Sequence, residues 1–162
     1  MQHNIRPAKL SDAPALAELL RAVGYFEAIN SKSSTEAAEQ VRQHLTSDLV
    51  DQSHSVYVGV DEKDRISGYV AVHWLSYLFL SGPEGYISEL FVLPSARGQG
   101  LGTALLEVVK AEARHRCCFR LALLNNRDRE SYQRGFYQKH NWEERGVMAN
   151  FVYWMEKEKE KQ

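Results

Sequence analysis

Cysteine is nearly absent: only Cys117 and Cys118 occur in 162 residues. Being adjacent, they offer neither an ordinary structural disulfide nor a metal-ligand spacing. They read as reduced thiols at a helix-to-strand junction, and a cytoplasmic location is the expectation. Long apolar runs are also missing. No stretch approaches the ~18 apolar residues that a membrane-spanning helix requires, and "MQHNIRPAKLSDA" lacks the apolar core of a secretory signal. Neither sign of charge dominates, with 20 Lys+Arg against 21 Asp+Glu and a net charge of −1. That balance excludes a general binder of nucleic acid or anionic membrane, although not a local basic patch. The six histidines, at 3, 44, 54, 73, 115 and 140, form no pair at metal-ligand spacing on one face, so no metal is expected.

What is present is ordinary for a globular enzyme-sized domain, with 44% apolar and 25% charged residues. No repeat, low-complexity linker or composition break interrupts the chain, so one domain over 1–156 and a charged tail at 157–162 are expected. "IRPAK" reads as a first strand. "SDAPALAELLRAV" reads as a helix capped by Ser11 or Asp12, with Leu16, Leu19, Leu20 and Val23 on one face. "GYFEAINSKSS" has loop composition with two aromatics. Ser33 stands three residues before Glu36, a capping-box spacing that opens a second helix. "SVYVGV" and "ISGYVAVHWL" read as a hairpin around "DEKDR", and "GYISELFVL" as a strand stopped by Pro94. A helix to about Arg116, a strand "FRLALL", a helix "RESYQRGFYQKH" and two final strands, "NWEER" and "ANFVYWM", complete the pattern. The fold class is α/β (α+β), built on one mixed sheet of about seven strands with about four flanking helices.

"RGQGLG" follows the strand "ELFVLP" and runs straight into an apolar helical segment. Gly98, Gly100 and Gly102 leave the backbone open, so successive N–H groups can form an anion-binding nest with the helix dipole behind it. Arg97 adds a guanidinium fork suited to phosphate. The nucleoside-triphosphatase loop is excluded because no lysine stands in the required place. The dinucleotide fingerprint is excluded because the spacing is Gly-x-Gly-x-Gly. No Gly-x-Ser-x-Gly elbow appears either.

Arg-x-x-Gly-x-Gly after a strand, together with "FYQKHNW" downstream and "IRPAKLSDAPAL" at the start, resembles the GNAT superfamily of N-acetyltransferases over nearly the whole chain. The resemblance implies the GNAT fold and acetyl-coenzyme A as cosubstrate. It implies that Arg97, Gly98, Gln99, Gly100, Leu101, Gly102 and Thr103 bind the pyrophosphate. The strand Ile87–Leu93 would splay from "FRLALL", and the pantetheine arm would pair with backbone around Phe91 and Val92. Tyr137, in "FY", stands where the family places the acid that protonates the leaving thiolate; otherwise it is a packing aromatic. Relatives often carry an asparagine seven residues before that tyrosine, where this chain has Glu130, and Asn126 is the substitute. Asn141 replaces a family glycine, a change that a left-handed turn tolerates.

Glu89, in "ISELFV", has two readings: an outward polar position in an alternating strand, or the base that deprotonates the amine. His73 reads as a satisfied strand histidine or a pocket residue. "RHRCCFR" reads as favourable charge at a helix C-terminus or as a 3′-phosphate contact. Glu27 and Glu84 are available to hold a cationic acceptor. The resemblance implies direct attack of a primary amine in a ternary complex, with a small molecule favoured as acceptor. The alternatives are a protein N-terminus or lysine acetyltransferase and a coenzyme A-binding regulatory module without turnover. Homodimers are common in the superfamily, and the "ANFVYWM" edge could serve one.

Overall fold

The computed structural model describes residues 4–155; the charged tail at 157–162 lies outside the described residues. Two compact units emerge, Met1–Leu123 and Leu124–Gln162.

The first unit holds a five-stranded sheet in the order β1-β2-β3-β4-β5. Its strands are β1 (Asn4–Pro7), β2 (His54–Val60), β3 (Ile66–Leu75), β4 (Glu84–Val92) and β5 (Arg120–Leu123). The first four pair antiparallel, and β5 joins β4 parallel. A parallel neighbour needs a crossover, supplied here by α4 (Leu101–His115). The β2–β3 hairpin closes as expected: the Asp61 carboxylate accepts from the N–H groups of Lys63 (2.9 Å) and Arg65 (3.0 Å).

Before the hairpin come α1 (Ala13–Val23), the four-residue α2 (Glu27–Asn30) and α3 (Ser34–Asp51). Leu16, Leu19 and Val23 of α1 are buried as the periodicity requires. Gly24, at φ 76°, ends α1 in the left-handed conformation that glycine adopts freely. The capping box of α3 is complete: the Ser33 N–H donates to Glu36 Oε2 at 2.9 Å, and the Glu36 N–H donates to Ser33 Oγ at 3.3 Å.

The start of α1 is built otherwise than the cap suggests. Asp12 occupies the N-cap without a side-chain cap bond. Its buried carboxylate instead accepts from Arg6 Nη1 (2.7 Å), Arg6 Nη2 (3.0 Å) and the Lys9 N–H (2.7 Å). Burial alone would push this carboxyl up, but the Arg6 and Lys9 donors outweigh it and hold it below its ordinary value. The pair thereby staples β1 to α1.

Alternation along β3 divides the core. Tyr69 and Ala71 join the cluster made by α1, α2 and α3, including Leu16, Leu19, Ile29 and Val41. Val70 and Val72, fully buried on the opposite face, lie on the side where α4 packs against β2, β3 and β4. Leu105, Leu106 and Val109 of α4 are fully buried, each a burial of about 1.5–3 kcal/mol.

In the second unit the only α-helix among the described residues is α5 (Glu130–Gln133), followed by one 3-10 turn at Gln138–His140. The expected helix over "RESYQRGFYQKH" therefore breaks. Gly135 stands at φ 65°, where a helix cannot continue. "NWEER" and "ANFVYWM" form no strands, so the sheet has five strands and not about seven. Asn141 takes the left-handed conformation, φ 62°, that its substitution for glycine requires.

Candidate active site

The glycine loop begins where β4 ends. The Leu93 N–H donates to the Ser67 carbonyl at 2.8 Å, and Pro94–Ala96 form one 3-10 turn. Gly98 (φ 73°) and Gly100 (φ 86°) then take left-handed conformations, and Leu101 opens α4. A Cβ at Gly98 would meet nothing within 4 Å, so the loop is open where a ligand could approach its backbone. The first i→i−4 bond of α4 runs from the Ala104 N–H to the Gly100 carbonyl at 3.0 Å. The N–H groups of Leu101, Gly102 and Thr103 precede it, at the positive end of a fifteen-residue helix.

Each loop side chain has a definite place. Arg97 Nε donates to the Val92 carbonyl at 3.2 Å, tying the loop to the end of β4. Gln99 Nε2 donates to the Ser95 carbonyl at 3.0 Å. Leu101 is buried and seated on two strand glycines: a Cβ at Gly59 would lie 2.4 Å from its Cδ1, and one at Gly68 3.1 Å from its Cδ2. Leu101 thus anchors the helix start through its side chain and offers the loop only its backbone. This fits a backbone cradle for a pyrophosphate.

β4 is paired on both sides for only half its length. Its parallel pairing with β5 runs from Glu84↔Arg120 to Ile87↔Leu123 and stops, whereas its pairing with β3 continues to Val92↔Gly68. Of the segment Ile87–Leu93 expected to part from β5, Ile87 still pairs with Leu123 and the pairing is lost from Ser88 on; Glu89–Val92, including Phe91 and Val92, pair on the β3 side alone. The register also shifts between Ala71 and Val72: Ala71 pairs with Glu89 but Val72 with Ile87, leaving Ser88 as an extra residue. Such a bulge re-aims side chains. It puts Glu89 and Phe91 on the face of Ala71 and Tyr69.

On that face Glu89 is no solvated outward acid. Tyr69, buried in the core, donates its phenolic proton to Glu89 Oε2 at 2.5 Å. Burial, with the Glu89 charge and hydrogen bond adding to it, drives the Tyr69 phenol far above its ordinary range, so it stays protonated. The Phe91 ring packs against Phe26 (5.3 Å between centroids), Tyr69 (5.9 Å) and Tyr25 (6.3 Å), which gives the two aromatics of "GYFEAIN" their place.

The second unit carries the other two candidates. Tyr137 packs edge-on against Phe136 (5.1 Å) and Trp142 (6.0 Å), and burial pushes its phenol up to about 12. Asn126 Oδ1 accepts from the Asp128 N–H at 2.9 Å, closing a local turn. The neighbouring Asn125 accepts from Ser131 Oγ at 3.1 Å, but its buried Nδ2 has no partner among the described residues.

One expectation is corrected, and two readings left open by the sequence are narrowed. Glu84 is not available for an acceptor: it is buried, bonded to Arg120 Nε, and it accepts from the Tyr77 hydroxyl at 3.4 Å. Arg116 of "RHRCCFR" is committed to Glu112 (2.7 Å) and lies over the Trp74 ring. His73 is satisfied, with Nε2 3.1 Å from Ser88 Oγ and its ring stacked on His54. Nothing in the sequence singles out Tyr69, because an aromatic in an apolar strand carries no signal of its own. Among the described residues no cluster of three potential ligands could hold a metal, and no helix is long and apolar enough to cross a membrane.

Comparison with known proteins gives this geometry its relatives. Over 132 residues the chain is 28% identical to thialysine N-epsilon-acetyltransferase of Mus musculus, covering 75% of this chain and 74% of that protein. A transcriptional regulator from Bacillus halodurans C-125 superposes with a TM-score of 0.79 at 18% identity, covering 94% of this chain and all of the other. An aminoglycoside acetyltransferase from an uncultured soil metagenomic sample gives 0.73 at 21% identity, covering 95% and 97%. At these identities the two structures speak for the fold alone. The model of the acetyltransferase (GNAT) family matches residues 18–142, a span that takes in the splayed strand, the glycine loop and Tyr137, and the chain belongs to that family.

Proposed function

We propose that the protein transfers the acetyl group of acetyl-coenzyme A to a primary amine of a small molecule, by direct attack within a ternary complex. The observation that carries the reading is the one-sided pairing of Glu89–Val92, leading directly into a loop of two left-handed glycines. A strand edge released from its neighbour offers N–H and C=O groups to an amide-containing arm. The nest and helix start from Arg97 to Thr103 offer donors to a pyrophosphate, each charge-assisted bond worth roughly 1.5–3 kcal/mol. In this reading Phe91 and Val92 hold the arm through their backbone. Asn126 assists, and the unpartnered Asn125 amide is the stronger donor of the two.

Acetyl-coenzyme A supplies an activated thioester; the remaining chemistry belongs to the protein. An alkylamine with a pKa of ~10.4 is neutral in only about one molecule in 2,500 at pH 7, a cost of roughly 4.6 kcal/mol. Glu89 takes one ammonium proton as base, typically worth about 10²–10⁴-fold. As the nitrogen–carbon bond forms and the carbon–sulfur bond breaks, Tyr137 gives its proton to the departing sulfur. The second proton shed by nitrogen as the amide forms replaces it. With the Tyr137 phenol near 12 and a thiol near 8.5, complete transfer is uphill by roughly 5 kcal/mol. The transfer is therefore completed only as the second nitrogen proton replaces the one given up, and the phenol lowers the barrier by hydrogen bonding to sulfur as charge develops there.

The name of the mouse relative makes thialysine the first acceptor to try, with lysine, spermidine, glucosamine and short peptides beside it. Coenzyme A thiol release is the assay. Release with one small amine, abolished by Tyr137→Phe, supports the reading. Release with peptides alone turns it towards a protein acceptor, and tight coenzyme A binding without release turns it towards a regulatory module. A cytoplasmic location and homodimerisation through exposed Phe151, Tyr153 and Trp154 belong to the same reading, and sedimentation analysis tests the latter.

A further inference from the structure

Register, distance and burial converge on a residue that the proposed chemistry does not use. Tyr69 stands opposite Phe91 and Ala71 opposite Glu89, so Tyr69 and Glu89 are diagonal cross-strand neighbours on one face. Diagonal partners lie about 7–8 Å apart, within reach of a long aromatic side chain but not of a short one. The small Ala71 side chain stands directly across from Glu89. The phenol closes the diagonal at 2.5 Å. Its ring is held by the core and by Phe91, itself backed by Phe26 and Tyr25. Oε2 of Glu89 is thus occupied, while Oε1 accepts no hydrogen bond from another described residue.

We infer that Tyr69 is the positioning residue for Glu89: its hydroxyl fixes Oε2, and Oε1 is thereby presented as the acceptor for the amine proton. The inference rests on Glu89 being the base. A carboxylate on a free side chain samples several rotamers, and only some aim a lone pair at an incoming amine. One strong, half-buried bond selects among them. Tyr69 remains protonated throughout and touches no reacting atom, so no proton passes through it.

The test combines a spectroscopic signature with a double-mutant cycle. A buried phenol proton in a short bond to a carboxylate gives a far-downfield proton resonance. It is expected in the wild type, absent from Tyr69→Phe and moved upfield in Glu89→Gln. Tyr69→Phe keeps the ring packing and removes only the oxygen. With the fastest amine among thialysine, lysine, spermidine and glucosamine, it is expected to lower kcat/KM about tenfold, the usual scale for a residue acting through another. Glu89→Gln should lower it about a hundredfold or more, and the double variant should fall no further than Glu89→Gln alone. An equal loss from Tyr69→Phe in both backgrounds, or a wild type without the downfield proton, overturns the inference. Full activity in Tyr69→Phe beside an inactive Glu89→Gln overturns it alone, and full activity in Glu89→Gln overturns the base reading as well. Should Tyr69→Phe fail to fold, the resonance in the wild type read against Glu89→Gln decides.

Discussion

Alanine at position 98 separates what the glycine loop costs the fold from what it does for a ligand. Gly98 sits at φ 73°, and a Cβ there would meet nothing within 4 Å. The stability penalty is therefore conformational alone, about 1–2 kcal/mol for an L-residue in the left-handed region, or roughly 2–8 °C in Tm for a chain of this size. If the loop is the proposed cradle, a methyl group in that open space does more to binding. Loss of one charge-assisted hydrogen bond to a phosphate, roughly 1.5–3 kcal/mol, weakens coenzyme A binding about ten- to hundredfold. Gly68→Ala provides the contrast. There a Cβ would lie 2.9 Å from the Phe91 carbonyl oxygen and 3.1 Å from Leu101 Cδ2. Backbone cannot yield cheaply, so stability falls by about 1–3 kcal/mol from overpacking at a site facing the core. Calorimetric Kd for coenzyme A and thermal melts on both variants make the measurement. A Gly98→Ala protein with the expected small Tm loss and wild-type coenzyme A affinity refutes the cradle and leaves the loop a plain turn.

Tyr137→Phe is expected to lower kcat about 10²-fold with coenzyme A Kd unchanged, read by stopped-flow thiol release. The Tyr137 phenol is raised by burial to about 12, above its ordinary value near 10, so its contribution to stability is complete below pH ~10 and is lost as pH rises through ~12; urea midpoints from pH 8 to 12 should fall less in Tyr137→Phe. Asp12→Asn should cost about 2–3 kcal/mol at pH 7 by leaving Arg6 without its bidentate partner. Because the folded Asp12 carboxyl is depressed, its contribution is present above pH ~4 and disappears as pH falls through the lower folded value, so urea unfolding of variant and wild type should converge in acid. Deleting Ser88 should leave one cooperative melting transition with a loss of no more than about 2 kcal/mol, since Ile87 and Glu89 then pair with Val72 and Ala71 in unbroken register and each half of β4 keeps its face.

Local chemistry made much of the first unit legible. The α3 cap was readable because Ser33 and Glu36 satisfy each other within one turn. The loop was readable because Gly98 and Gly100 adopt conformations that other residues avoid. The second unit resisted for the same reason in reverse. "RESYQRGFYQKH" has helical periodicity, and a single left-handed Gly135 overrides it. Apolar "ANFVYWM" has strand propensity, yet Phe151, Tyr153 and Met155 are almost wholly exposed. β-propensity expresses packing on a neighbour more than a backbone preference, and no strand pairs with this segment among the described residues. Capping is a local rule, so the sequence offers Ser11 or Asp12 as the cap of α1, and Asp12 proves to be otherwise engaged. Its actual partner, Arg6, is drawn in by a charge pairing that a helix-start pattern does not encode.

Glu89 shows where local reading ends and register begins. In "ISELFV" strict alternation would place Ile87 and Glu89 on one face, yet the register puts Ile87 opposite Val72 and Glu89 opposite Ala71, two β3 residues on opposite faces of the sheet. The unpaired Ser88 accounts for the change. It lets β4 bury Ile87 on the side of α4 and still turn Glu89 and Phe91 towards Tyr69, Phe26 and Tyr25. A carboxylate on the α4 side would lie on the face covered by that helix's buried apolar side chains and would carry the full desolvation cost of an unpaired buried charge. On the chosen side it meets the one buried phenol able to bond it. The bulge therefore decides whether position 89 is a liability or a base, and it does so through a register set by Ala71 and Val72 on the preceding strand.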